Sequence, residues 1–114
     1  MTLPGGIPGI DVRAAAERTA AGGEDGPLIV DVREADEVAR VRLDRGIHIP
    51  LSGFVQRVAE LPRDRPLLIL CAAGNRSAAV TGYLLRSGWT DVTNIDGGIT
   101  AWERAGLPVH RGRG

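Results

Sequence analysis

The apolar positions of this 114-residue chain fall into short runs separated by Gly and Pro. Leu67-Leu68-Ile69-Leu70 is unbroken behind Pro66 and too short for a helix, and its lack of alternation predicts a central parallel strand covered on both faces. Leu28 to Val32, behind Pro27, predicts a second strand. Ile47-His48-Ile49 alternates as a short strand that Pro50 ends, and Val92 to Ile95 predicts one more. Helical patterns lie between them. Asp11 is placed to cap a helix through Ala14, Ala15, Ala16 and Ala20 to a Gly22-Gly23 stop. A polar helical segment covers Glu34 to Val41, and Phe54, Val58 and Leu61 share a helical face that Pro62 stops. Ser77 to Ser87 predicts a helix burying Val80, Leu84 and Leu85, with Gly88 as left-handed cap and Trp89 packing back on the last turn. Ile99 and Trp102 mark a final helix ended by Gly106 and Pro108. Residues 1–8 read as a loose lead-in and residues 111–114 as a frayed tail. The alternation of strands and helices predicts one α/β domain over 1–114, with helices on both faces of a mostly parallel sheet.

Composition narrows the chemistry. With 43% hydrophobic and 25% charged residues the chain has a globular balance, and its net charge of zero offers no footprint for nucleic acid or an anionic membrane. All fourteen basic residues are Arg, which removes Schiff-base lysine chemistry. No stretch approaches the roughly 18 apolar residues of a membrane span, and residues 1–20 lack a secretory pattern, so a cytoplasmic protein is expected. One cysteine and two histidines build neither a disulfide framework nor an ordinary zinc site; no metal or cofactor is expected.

Cysteine chemistry therefore centres on Cys71, at the end of the most apolar strand, where sites of parallel α/β sheets gather. The turn Ala72-Ala73-Gly74-Asn75-Arg76 feeds a helix directly, and Gly74 lets the backbone curl. Backbone N–H groups of such a turn, with the positive end of the helix dipole, form a nest that favours a thiolate. A buried core thiol is the plain alternative, but it needs neither a Gly-containing turn nor an Arg five residues on. Asp31, at a strand end beside Arg33, reads as structural support for the loop. His48 and His110 have no catalytic signal, and Phe54, Trp89 and Trp102 read as packing residues. Asp96-Gly97-Gly98 is a turn on the same sheet edge as Cys71 and can border a pocket there.

Cys71-Ala72-Ala73-Gly74-Asn75-Arg76-Ser77 resembles the active-site loop of rhodanese domains. Asp31-Val32-Arg33-Glu34, the Ile47–Leu51 segment, Asn94 to Trp102 and Gly106 to Val109 resemble further motifs of that family, in the same order, over residues 10 to 109. One segment departs from it: Val41-Arg42-Leu43-Asp44-Arg45-Gly46 stands where many members carry Gly-His-Ile-Pro-Gly-Ala. The resemblance implies a five-stranded, mostly parallel sheet and sulfur transfer. The Cys71 thiolate takes the sulfane sulfur of thiosulfate or a persulfide, and a thiol, cyanide or the terminus of a sulfur-carrier protein then accepts it. Within that scheme the amides of Ala72, Ala73, Gly74, Asn75, Arg76 and Ser77 stabilise the persulfide, Arg76 is a fixed cation for the donor's oxygens, and Ser77 donates a hydroxyl while capping the helix. Two other functions compete. Cysteine phosphatases and arsenate reductases share the loop logic but place five residues between Cys and Arg, where four intervene here. Non-catalytic regulatory modules of the same fold have typically lost the cysteine.

Overall fold

The computed structural model describes residues 2–3 and 6–112. In chain order the elements are β1 (Thr2–Leu3), β2 (Ile7–Ile10), α1 (Val12–Gly22), β3 (Leu28–Asp31), α2 (Ala35–Arg40), β4 (Val41–Arg42) and β5 (Ile47–His48). There follow α3 (Phe54–Arg57), β6 (Leu67–Leu70), α4 (Asn75–Arg86), β7 (Val92–Ile95), α5 (Gly98–Arg104) and β8 (His110–Arg111).

The main sheet has the order β1-β2-β7-β6-β3-β5, with β2, β7, β6, β3 and β5 mutually parallel and β1 antiparallel at the edge. The unbroken run of β6 is explained by its place. It lies between β3 and β7, pairing Leu67 with Leu28 and with Val92, and all four of its residues are buried. The pleat sends them alternately to two cores. Leu67 and Ile69 pack with Phe54, Val80 and Leu84 under α3 and α4. Leu68 and Leu70 pack with Ala15, Ile99 and Trp102 under α1 and α5. The expected α/β sheet with helices on both faces is thus present.

Local signals act where they were read. The Asp11 carboxylate accepts from the Ala14 N–H at 2.8 Å and starts α1, which ends at Gly23. After α4, Gly88 takes φ +106° and the Trp89 N–H returns to the Leu84 carbonyl at 3.1 Å, closing the helix end, while the Arg63 guanidinium covers the Trp89 ring at 3.7 Å. The Phe54–Leu61 face is buried at both ends, but one α turn between two 3₁₀ turns carries it instead of a continuous helix.

Three further expectations change. The expected lead-in over 1–8 holds β1 and the first half of β2, with Pro8 opposite Thr2 and Ile7 opposite Leu3, and β2 continues to Gly9 and Ile10, which pair with Asn94 and Ile95. Pro and Gly marked this stretch as irregular, but sheet pairing overrides that preference at an edge; Met1, Pro4 and Gly5 lie outside the described residues. The tail is tied down through Gly112. β8 pairs antiparallel with β4, the Arg42 guanidinium donates to the Gly112 carbonyl at 2.5 Å, and the Gly112 N–H donates to Arg40; Arg113 and Gly114 lie outside the described residues. Finally, α4 begins at Asn75, two residues before the expected start at Ser77.

The 41–46 segment packs away from the cysteine loop. The Arg45 guanidinium bonds Asp44 at 2.8 Å and Thr19 Oγ1 at 3.0 Å, and sits 5.7 Å over the Trp102 ring. Among the described residues no helix is long and apolar enough to cross a membrane.

Candidate active site

Cys71 follows β6 at the C-terminal edge of the sheet, with its side chain 1% exposed. Two neighbouring elements hold its backbone. The Ile99 N–H donates to the Cys71 carbonyl at 2.9 Å and the Thr100 N–H to the Ala72 carbonyl at 3.1 Å, so the start of α5 clasps the strand end. Gly98 makes this approach possible, because a Cβ there would overlap both carbonyl oxygens, and its φ is +58°. Gly74, at φ +100°, then turns the chain into α4 and precedes its first residue.

This turn aims donors at the sulfur. The Gly74 N–H donates to Sγ at 3.0 Å, and Ser77 Oγ stands 3.1 Å from it. Burial pushes the Cys71 thiol up, but the Ser77 hydroxyl and the backbone N–H groups of Ser77, Gly74 and Ala73 pull it down, and the net direction is below the ordinary thiol. The dipole of the twelve-residue α4 acts in the same sense. Ser77 is not the helix cap expected for it: Gly74 fills that position, and the serine hydroxyl, one turn in, points between Sγ and Asn94 Oδ1, the latter at 2.5 Å. Asn94 Nδ2 in turn donates to Asp96 Oδ1 at 3.1 Å.

Arg76 leaves the loop sideways. Its guanidinium makes a two-pronged ion pair with Glu37 of α2, Nη1 to Oε1 at 2.7 Å and Nη2 to Oε2 at 2.8 Å, while remaining 34% exposed. The Arg76 hydrogen bonds hold the Glu37 carboxyl down at about 2 against the opposing effect of burial, and the same pair raises Arg76. Glu34 extends the network, donating its N–H to Glu37 Oε1 at 3.1 Å and accepting from the Ser52 hydroxyl at 2.7 Å.

Asp31 and Arg33 form a second pair beneath this one. Arg33 is 1% exposed; its Nε and Nη2 reach Asp31 at 3.0 and 2.8 Å, and Nη2 also donates to the Val41 carbonyl at 2.8 Å. The pair joins the end of β3 to the start of β4. The His48 Nε2–H donates to the Arg33 carbonyl at 2.6 Å. Ala73, Gly74 and Asn75 line one wall of a cleft of about 260 Å3 whose other wall is Asn94, Asp96 and Gly97, so the Asp96-Gly97 turn does border the loop.

Asn94 and Glu37 are residues of this site that the sequence does not single out, and Gly98 is read there only as part of a turn that can border a pocket. Nothing in the motif around Asn94 and Gly98 separates their contacts from an ordinary turn. Glu37 lies 39 positions from Arg76, and only the fold brings them together.

A family model for the rhodanese-like domain matches residues 11–105. The chain is 35% identical over 100 residues to a sulfurtransferase of Allochromatium vinosum, covering 88% of this chain and 92% of that one. It is 32% identical over 96 residues to the thiosulfate sulfurtransferase GlpE of Pseudomonas savastanoi, covering 84% and 90%. Among solved structures, a rhodanese-related protein from Thermoplasma volcanium superposes with a TM-score of 0.81 at 31% identity, over 91% of this chain and 98% of that one. With its cysteine loop at the C-terminal edge of a five-stranded parallel sheet, and with matches that span nearly its whole length, the chain belongs to the rhodanese-like domain family.

Proposed function

We propose that this chain is a thiosulfate sulfurtransferase acting through a Cys71 persulfide, with residues 1–114 working as one catalytic domain. The observation that carries it is the setting of a buried sulfur at the start of α4: the Gly74 N–H donates to Sγ at 3.0 Å and Ser77 Oγ stands 3.1 Å from it. The thiolate attacks the outer sulfur of thiosulfate, the donor's S–S bond breaks, and sulfite leaves with its electron pair. A new S–S bond joins that sulfur to Cys71. A thiolate or cyanide then attacks the terminal sulfur, and the electron pair of the breaking S–S bond returns to Cys71. Neither half needs a general base, and the two halves predict ping-pong kinetics. The loop amides face the anionic persulfide, and the half-exposed edge of Arg76, fixed by Glu37, is offered to the donor's oxygens. Small-molecule donors and acceptors, or a sulfur-carrier terminus, suit a cytoplasmic setting in which thiols stay reduced.

The competing phosphatase reading asks for a wider ring, because a phosphoryl group brings three oxygens beside the sulfur. Here four residues separate Cys71 from Arg76, and Arg76 is already engaged by Glu37. The test measures both reactions on one preparation. Transfer of sulfur from thiosulfate to cyanide, lost in Cys71→Ser, with no hydrolysis of an aryl phosphate, is expected. Phosphatase turnover that disappears in Cys71→Ser would overturn the assignment.

A further inference from the structure

The bonding around Ser77 contains a conflict over one proton. Asp96 lies where only glycine fits across from it, since a Cβ on Gly9 would overlap both carboxylate oxygens. Its Oδ2 is buried without a hydrogen-bond partner, so the Asn94 amide at Oδ1 is the side-chain donor this carboxylate has among the described residues. A carboxylate only accepts, which obliges Asn94 to present Nδ2 to it and turns Oδ1 toward Ser77. An amide oxygen also only accepts. The Ser77 hydroxyl must therefore donate its single proton to Asn94 Oδ1, at 2.5 Å, and it shows Cys71 only lone pairs. In that arrangement the 3.1 Å contact between Sγ and Oγ is a hydrogen bond when Cys71 is the donor, that is, when it is a thiol.

We propose that Asn94, oriented by Asp96, is a positioning residue that competes with Cys71 for the Ser77 proton and so sets how readily the thiolate forms. Loss of the Cys71 proton to solvent leaves Sγ with lone pairs alone. The Ser77 O–H then swings from Asn94 to Sγ, and Asn94 Oδ1 loses its donor. Of the groups that favour the thiolate, the backbone N–H groups act at all times, whereas the serine acts only after that exchange. A sulfur that is a neutral thiol at rest and an anion only when a donor arrives is oxidised less readily than a permanent thiolate.

The charged groups near the sulfur do not resolve the contest. Arg76, on α4, is bound to Glu37 of α2 with Glu34 next to it, and Asp31 at the end of β3 is bound to Arg33. From α5 come only the Ile99 and Thr100 N–H groups, already bonded to the Cys71 and Ala72 carbonyls. Asp96 acts through Asn94.

This proposal rests on Cys71 being the reactive thiol, so its test reads the thiol itself, by the rate of iodoacetamide alkylation against pH. Asp96→Asn keeps the shape but frees the chain to reverse: the new amide donates to Asn94 Oδ1, Asn94 Nδ2 donates to Ser77 Oγ, and the serine proton is released to the sulfur. The alkylation midpoint should fall by roughly one unit in Asp96→Asn and in Asn94→Ala, giving about tenfold more thiolate at a pH below both midpoints. Ser77→Ala should leave the midpoint at or above that of the wild type, and adding Asp96→Asn to it should change nothing more. A midpoint that does not fall in Asp96→Asn overturns the proposal. So does a fall that persists in the Ser77→Ala background, because removal of a negative charge would then act without the hydroxyl. The expected pattern of midpoints in a protein that moves no sulfur would count against the sulfurtransferase reading and leave the proton contest standing.

Discussion

Arg76 shows what one residue's chemistry does and does not reveal from sequence. Its place five residues after Cys71 points to an anion clamp, yet its two terminal nitrogens lie on Glu37, so the clamp we propose is a fixed edge rather than a mobile cation. Replacing it with Ala should cut kcat/KM for thiosulfate about tenfold, mostly through KM, and steady-state kinetics will check this. Unchanged donor kinetics would leave Arg76 a purely structural partner of Glu37. The pair also has a pH signature. The folded carboxyl of Glu37 lies at about 2, below its ordinary 4.5, so its contribution to stability is complete above 4.5 and is lost as pH falls toward 2. Thermal melts between those limits should fall less steeply in Glu37→Gln than in the wild type. Cys71 and Arg76 were legible because they stand six residues apart at most from the strand end that defines the loop; Glu37 was not, because its role depends on α2 meeting α4 in space.

Among the elements, β6 and the start of α5 make the site. β6 was legible because burial on both faces removes the polar alternation that other strands show, and Cys71 is legible as the residue that ends it. β2 was not: Ile7-Pro8-Gly9-Ile10 has the composition of a turn, and its strand conformation comes from pairing with β7. The clasp by α5 carries a sharp prediction. Gly98→Ala places a methyl group on the Cys71 and Ala72 carbonyls in a backbone conformation that disfavours alanine, and it should destabilise the protein by about 1–3 kcal/mol. Urea denaturation measures that loss. The rate of sulfur transfer should drop further than the unfolded fraction explains, because the carbonyls displaced belong to the loop itself; activity that tracks the folded fraction would show that the clasp supports the fold alone.

For the whole molecule, the sheet divides two cores, with the Cys71 side chain in the one that holds Val80 and Leu84 and Leu43 of the 41–46 segment in the other, with Trp102. The residues that depart from the family pattern pack on Trp102, Thr19 and the β8 end, on the face opposite Val80 and Leu84. Removing residues 110–114 would take away β8, the Arg42 bond to Gly112 and the Arg111–Glu103 ion pair. The truncated chain should melt lower by some 4 °C, about 1 kcal/mol, and still accept sulfur at Cys71. Calorimetry and the transfer assay check the two halves, and loss of transfer in a folded truncated chain would mean that this edge reaches the site.

The central claim is a covalent one, and intact mass spectrometry reads it directly. The reduced protein, mixed with thiosulfate and freed of small molecules, should carry one added sulfur atom, and Cys71→Ser treated in the same way should carry none. A wild type that stays unmodified with thiosulfate and with persulfide donors, or a Cys71→Ser protein that gains the same mass, would contradict the account.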